Sequence, residues 1–201
     1  MQRRDVLTMA AAAALLPAIG AAQGTAGAAP APFHKLTVGG IAVTVLHDGM
    51  NRRADATQGF VIDVPAASVT AALQAGGIGG PGLDNPYNPT AVQTSAGLVL
   101  IGTGFGQGAP AGIGGLLASM RAAGLDPAAV AMVMFTHFHG DHVGGLLLPD
   151  GTAAFPRAAI KVPEAEWAYW NDAGEESRSP EGRRPGFANA RRRFAPYADR
   201  V

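Results

Sequence analysis

The sequence predicts an α/β (α+β) domain, and three observations carry that prediction. Short apolar runs occur in pairs split by Gly-rich turns, as in β-hairpins. A glycine-rich loop and a helical apolar stripe then lie between two strand-like runs, giving the order strand, loop, helix, strand. Finally, the second of those runs, Val130-Ala131-Met132-Val133-Met134-Phe135, leads straight into Thr136-His137-Phe138-His139-Gly140-Asp141-His142-Val143-Gly144-Gly145. A dense set of polar ligand-type side chains at the end of a core strand is how a rigid scaffold presents a reactive site.

Length and composition set the frame. The chain has 201 residues, enough for one domain with a sizeable core. Its formal net charge is zero, which argues against a nucleic-acid footprint. It has no cysteine, so disulfides, thiolate zinc sites and cysteine nucleophiles are excluded.

Taken in order, residues 1–28 read as an export leader rather than as fold. Arg3-Arg4 precedes an Ala/Leu-rich stretch, then Pro17 and small residues. The arginine pair resembles the twin-arginine export signal, although Gln2 precedes it and Val6 stands where Phe is usual. Cleavage is expected after Ala22 or Ala28, with a periplasmic or secreted destination and no stable membrane span thereafter. An uncleaved anchor or a cytosolic tail is the alternative. The domain is expected over 29–201.

Phe33–Val38 and Ile41–Leu46 are expected to form strands joined at Gly39-Gly40, with His47-Asp48-Gly49 ending the second in turn chemistry. Phe60–Val64 is a short apolar segment. A helix is expected over Pro65–Ala75, stopped by Gly76-Gly77. Residues 76–90, rich in Gly, Pro and Asn, read as a surface loop. Thr90–Thr94 and Leu98–Ile101 form a second expected hairpin. Residues 102–115 form a glycine-rich loop. Its Gly102-Thr103-Gly104-Phe105-Gly106 lacks the Gly-Lys-Ser/Thr of a phosphate-binding loop. Ile113, Leu116, Leu117 and Met120 make the helical stripe, ended by Gly124, and Asp126-Pro127 starts a turn into the strand at 130–135.

Beyond the histidine-rich segment, Leu146–Leu148 and Ala158–Val162 are apolar. Pro163-Glu164-Ala165-Glu166 opens a helix with acids in its first turn, which suits the helix dipole. Trp167 and Trp170 lie on one face of that helix and read as anchors to the core, ahead of a role in a substrate pocket. Residues 171–186 read as a mobile loop and Phe187–Tyr197 as a short helix, with Arg191-Arg192-Arg193 on its solvated face.

The chemistry concentrates at 136–145. Alternate residues of an extended segment point the same way, so His137 and His139 project together and can bind one ion. Asp141 and His142 come a turn later and can hold a second. Imidazole with carboxylate suits zinc, and also manganese, iron or cobalt. Two adjacent ions can share a water and lower its pKa, with the Asp141 carboxylate orienting that nucleophile. Asp141 is therefore the candidate catalytic residue, and His137, His139, Asp141 and His142 are the candidate metal ligands. His34 and His47 are isolated and read as surface or core histidines.

Residues 136–145 resemble the metallo-β-lactamase superfamily, whose hallmark is Thr-His-x-His-x-Asp-His followed by Gly-Gly. The resemblance extends over about 34–201 and is nearest to the secreted branch of organophosphorus hydrolases and lactonases. It implies a metallo-β-lactamase-like αβ/βα sandwich, of which this chain would supply the N-terminal half plus flanking helices. It also implies a dinuclear site, with His137 and His139 on the first ion and Asp141 and His142 on the second. The implied function is hydrolysis of an ester, lactone or phosphotriester, with a small-molecule substrate and with homo-oligomerisation left open. Two departures stand against full activity. Gly102 occupies the place of the aspartate in the family's Asp-Thr-Gly, and no histidine follows His142. The family draws further ligands from later segments, so weak zinc binding and little hydrolysis are expected. The alternatives are a degenerate fragment that keeps the motif, or a module that needs a second chain.

Overall fold

Two hairpins and two parallel crossovers build a six-stranded sheet. The computed structural model describes residues 31–201; the leader expected over 1–28 lies outside the described residues. Strands β1 (Phe33–Val38) and β2 (Ile41–Leu46) pair antiparallel, with Val38 opposite Ile41 across the Gly39-Gly40 turn. β5 (Thr90–Thr94) and β6 (Gly97–Ile101) form the second hairpin, and β5 adds to β2. β7 (Val130–Met134) and β8 (Ala159–Lys161) then add in parallel, giving the order β1-β2-β5-β6-β7-β8. A parallel pair needs a crossover. For β6 and β7 it is residues 102–129, which carry helix α2 (Leu116–Ala122).

The period of two divides the sheet into unlike faces. One register row runs Thr44, Ala91, Leu100, Val133, Ile160, and every member is buried. Leu116 and Met120 of α2 join this face in the core, as do Phe194 and Tyr197 near the C-terminal end of the chain. Exposed Lys35, which extends this row onto the edge strand β1, donates from Nζ to the Ala123 carbonyl at the C-terminal end of α2 (2.8 Å). The opposite row runs Leu36, Val43, Val92, Val99, Met132, Ala159, with Ile101 and Met134 beside it. That row is apolar too, but nothing among the described residues covers it: Leu36, Ile41, Ile101 and Met134 are 38–48% exposed.

Four regions depart from the sequence expectation. Gly49–Arg53, of which only Gly49 fell in the turn expected at His47-Asp48-Gly49, is strand β3, and Leu83–Tyr87, inside the expected 76–90 loop, is strand β4. The two pair as a separate antiparallel ribbon, Gly49 opposite Tyr87 and Arg53 opposite Leu83. Backbone pairing and the Arg52–Asp84 contact hold it, with no apolar alternation to announce it, and Pro86 is tolerated because β4 is an edge. The expected mobile loop at 171–186 contains helix α5 (Ala173–Arg178), whose N-cap Asp172 accepts from Glu175 N (3.0 Å). The last helix, α6 (Arg184–Phe194), starts earlier than expected, with Pro185 in its first turn, and ends in a 3-10 turn at Ala195–Tyr197. Arg193 is not on a solvated face; its guanidinium donates to the Gly144 carbonyl. Arg191 pairs with Glu176 and Arg192 with Asn189 on the exposed side.

The helices expected after Pro65 and Pro163 match more closely. α1 (Ala66–Ala75) follows Pro65 and ends at Gly76, burying only Val69. α3 (Gly140–Val143) is a single turn inside the histidine-rich segment, and α4 (Glu164–Asn171) follows Pro163. Tyr197 closes the core from the C-terminal side. Its fully buried hydroxyl donates to the Leu146 carbonyl (2.8 Å) and accepts from Phe155 N (3.1 Å). Burial pushes that phenol above its usual pKa. Among the described residues no helix is long and apolar enough to cross a membrane.

Candidate metal centre

The segment after β7 stays extended long enough to sort its side chains. Phe135 and Phe138 turn inward and are buried; Phe135 packs edge-to-face on Phe138 and on Phe194, and Phe138 lies tilted against Phe194. Trp167 of α4 closes the same aromatic cluster. With Phe138 inward, its neighbours His137 and His139 face out, and their ring centroids lie 4.5 Å apart. The single turn of α3 then swings His142 back, so that its ring centroid lies 4.0 Å from that of His137. Asp141 Oδ2 lies 3.5 Å from His142 Nε2. His137, His139, Asp141 and His142 are therefore gathered on one loop. His34 and His47 are elsewhere: His34 is exposed on β1, and His47 Nδ1 faces Asn88 Oδ1 at 3.3 Å.

The glycines around the motif serve close backbone packing. Thr103 donates to the His142 carbonyl from both its N–H and its hydroxyl, each at 2.7 Å. Gly145 N donates to the Gly104 carbonyl (3.1 Å). The 102–106 loop lies directly on Gly144-Gly145. A side chain at Gly144 would overlap the Phe105 carbonyl, and one at Gly145 would overlap that of Thr103. These two positions need glycine for space.

Asp48 fixes the far side of the glycine-rich loop. It is 1% exposed and accepts from Phe105 N (2.9 Å), Gly114 N (3.3 Å) and Leu116 N (3.0 Å). Charge-assisted bonds of this kind satisfy the buried carboxylate and pin three turns of the loop. In the sequence Asp48 shows only turn chemistry, because partners up to 68 residues away leave no local trace. Gly102 has φ +71, and a Cβ there would lie 3.7 Å from His142 Nδ1. The aspartate that this position lacks would have stood beside the His142 ring.

The donor chemistry suits a divalent ion. Burial pushes His142 below its usual pKa, and the nearby His137 and His139 add to that, while Asp141 opposes it. The neutral imidazole, the form that binds metal, is thereby favoured. The His137 and His139 rings lie edge to face and the His137 and His142 rings tilted; among the described residues no set of three or more His, Cys, Asp or Glu side chains is placed to hold an ion.

The motif separates two cavities. One is lined by Asn85, Tyr87, Asn88, Gly102, Asp141 and His142. The other is lined by His137, His139, Glu166, Tyr169, Trp170 and Arg183. Both tryptophans pack against the core, and Trp170 also lines the second cavity.

A family model described as the metallo-beta-lactamase superfamily matches residues 83–199. Among solved structures, a hydrolase called AbOPH, described as in the beta lactamase superfamily, is 26% identical with a TM-score of 0.74. The match covers 84% of this chain and 58% of that one. AidC, described as a dizinc quorum-quenching lactonase in complex with a product, is 22% identical with a TM-score of 0.72, covering 84% of this chain and 59% of that one. The shared fold is the α/β arrangement of this superfamily, and the chain spans somewhat under three fifths of the length of both structures. A search of curated proteins finds no match.

Proposed function

The chain belongs to the metallo-beta-lactamase superfamily, and from that premise we propose that it is a metal-dependent hydrolase acting on an ester, lactone or phosphotriester. The observation that carries the proposal is the gathering of His137, His139, Asp141 and His142 on one loop, between two cavities, at the end of a core strand. His137 and His139 would hold one zinc ion, and Asp141 and His142 a second; manganese, iron or cobalt would also suit these donors. When bound, such ions supply Lewis acidity and make water a nucleophile near neutral pH. The chain's own residues would do the rest. Asp141 would orient the attacking water and accept its hydrogen bond. Thr136, hydrogen-bonded to His137 Nδ1 at 2.9 Å, would fix that ring, and Thr103 would fix the backbone of His142. Tyr169, Trp170 and Arg183 would wall the substrate on the His137/His139 side.

Two protein donors per ion are one fewer than the three usual at a catalytic zinc. The proposal assigns the balance to ligands outside the described residues, on further polypeptide or a partner chain. That donor count is compatible with this version, and equally with a second reading in which the 201-residue chain binds metal without catalysis. Export through the Arg3-Arg4 leader to the periplasm or outside, and a small-molecule substrate, complete the proposal. The test is calorimetric zinc titration of the purified chain, followed by turnover of an aryl ester, a lactone and an aryl phosphotriester at saturating zinc. Weak zinc uptake that His137→Ala and His139→Ala abolish is expected. Two tight sites would contradict the shared-ligand version, and saturation without turnover would favour the non-catalytic reading.

A further inference from the structure

Glu166 occupies the third position of α4, where a glutamate commonly reaches back to the N–H of the capping residue. Here the capping residue is Pro163, which has no N–H to offer. The carboxylate is spent elsewhere. Its Oε2 accepts from Phe138 N at 2.9 Å and from Trp170 Nε1 at 2.9 Å. The first partner is the peptide between His137 and His139, 28 residues away in sequence. The second is the indole on the wall of the cavity that His137 and His139 also line. That indole is itself held: the Phe187 ring lies tilted against it at 4.8 Å, and Gly186 leaves just room for it, since a Cβ there would meet the ring at 3.0 Å.

Phe138 is therefore gripped twice, its ring by Phe135, Trp167 and Phe194, and its N–H by Glu166. Rotation of that one peptide would turn His137 and His139 apart. Resting on the metal reading above, we propose that Glu166 is a positioning residue. Its carboxylate holds the His137–His139 pair in register for a single ion and ties that pair to the Trp170 wall of the substrate cavity. Ion uptake and the state of the wall are then linked, and the linkage is reciprocal: what one does to the other's affinity is returned by the same factor.

The test uses the full chain and zinc itself, with two readouts. Calorimetry reports zinc affinity, and amide NMR reports hydrogen exchange at Phe138 together with the Trp170 Nε1–H resonance. In the wild type, Phe138 N–H is expected to be protected, and zinc is expected to move the Trp170 resonance. Glu166→Gln keeps an acceptor oxygen and is expected to bind zinc within about threefold of wild type. Glu166→Ala is expected to lose the Phe138 protection, to weaken zinc about 10- to 100-fold, the usual effect of removing a residue that supports a ligand, and to leave Trp170 blind to zinc. Glu166→Asp keeps the charge but shortens the reach. It is expected to lose about tenfold in affinity, and it serves as the test if the alanine variant does not fold. A residue that merely anchors α4 would lower stability without touching either readout. The proposal is overturned if Glu166→Ala or Glu166→Asp binds zinc as wild type does, or if Glu166→Gln binds as poorly as the alanine variant. Failure of the metal reading looks different: wild-type zinc uptake that His137→Ala does not lower. No uptake by the wild type overturns both.

Discussion

The two faces of the six-stranded sheet are built from equally apolar strands, yet one is roofed by α2, α6 and Tyr197 while the other is bare among the described residues. Leu100 and Ile101 are neighbours in β6; the first is fully buried and the second 41% exposed. Composition does not separate them, and only the alternation does. The covered face carries the stability of the domain and positions the histidine-rich loop. The bare row from Leu36 to Ala159 is of the kind that a second layer covers in a sandwich.

The largest contrast is expected between substitutions on the two faces. Leu100→Ala leaves a cavity beneath α2 and should cost about 2–5 kcal/mol of unfolding free energy by denaturant titration. Val99→Thr, one residue away on the bare face, should cost less than about 1 kcal/mol. Equal costs would mean that the bare face is covered in solution. Next in size is Thr103→Val. It removes the hydroxyl bond to the His142 carbonyl in a buried setting and should cost about 1–2 kcal/mol, with a parallel drop in zinc affinity. A stability loss without any change in zinc affinity would separate the covered face from the metal loop.

The smallest effect is on the pH dependence of stability. His142 has a folded pKa below the reference value of 6.5, so between the two values the unfolded chain binds more protons. Its contribution is fully present above about 6.5 and is lost as pH falls through the lowered folded value. His142→Gln should flatten the stability profile in that window. An unchanged profile would mean that burial of this ring is not what depresses its pKa.

What could be read from the sequence divides along the same line between local and distant cause. β1, β2, β5 and β6 were legible because alternation and Gly-containing turns are local. The motif was legible because its donors are packed into six consecutive positions. β3 and β4 were not, because Asn51-Arg52-Arg53 and Asp84-Asn85-Pro86 show no apolar period and pair only through the backbone and an ion pair. α5 hid for a similar reason: it has no apolar period, and its signals are polar, Asp172 as a cap, Glu175 and Glu176 in the first turn and Arg178 in the last. Asp48, Glu166 and Arg193 all act on residues at least 28 positions away, and nothing beside them in the sequence marks that role. The glycines were visible as a loop, but their reason, the 102–106 strand of backbone lying on Gly144-Gly145, is tertiary.

The central claim is that the loop after β7 is a metal centre built on His137, His139, Asp141 and His142. Crystals of the chain soaked in zinc, with diffraction recorded across the zinc absorption edge, test it most directly. Anomalous density within bonding distance of the His137 and His139 imidazoles is expected, with a second peak or partial occupancy at Asp141 and His142. Zinc found only at His34 or His47, or nowhere on the loop at concentrations that saturate the protein in solution, would contradict the claim.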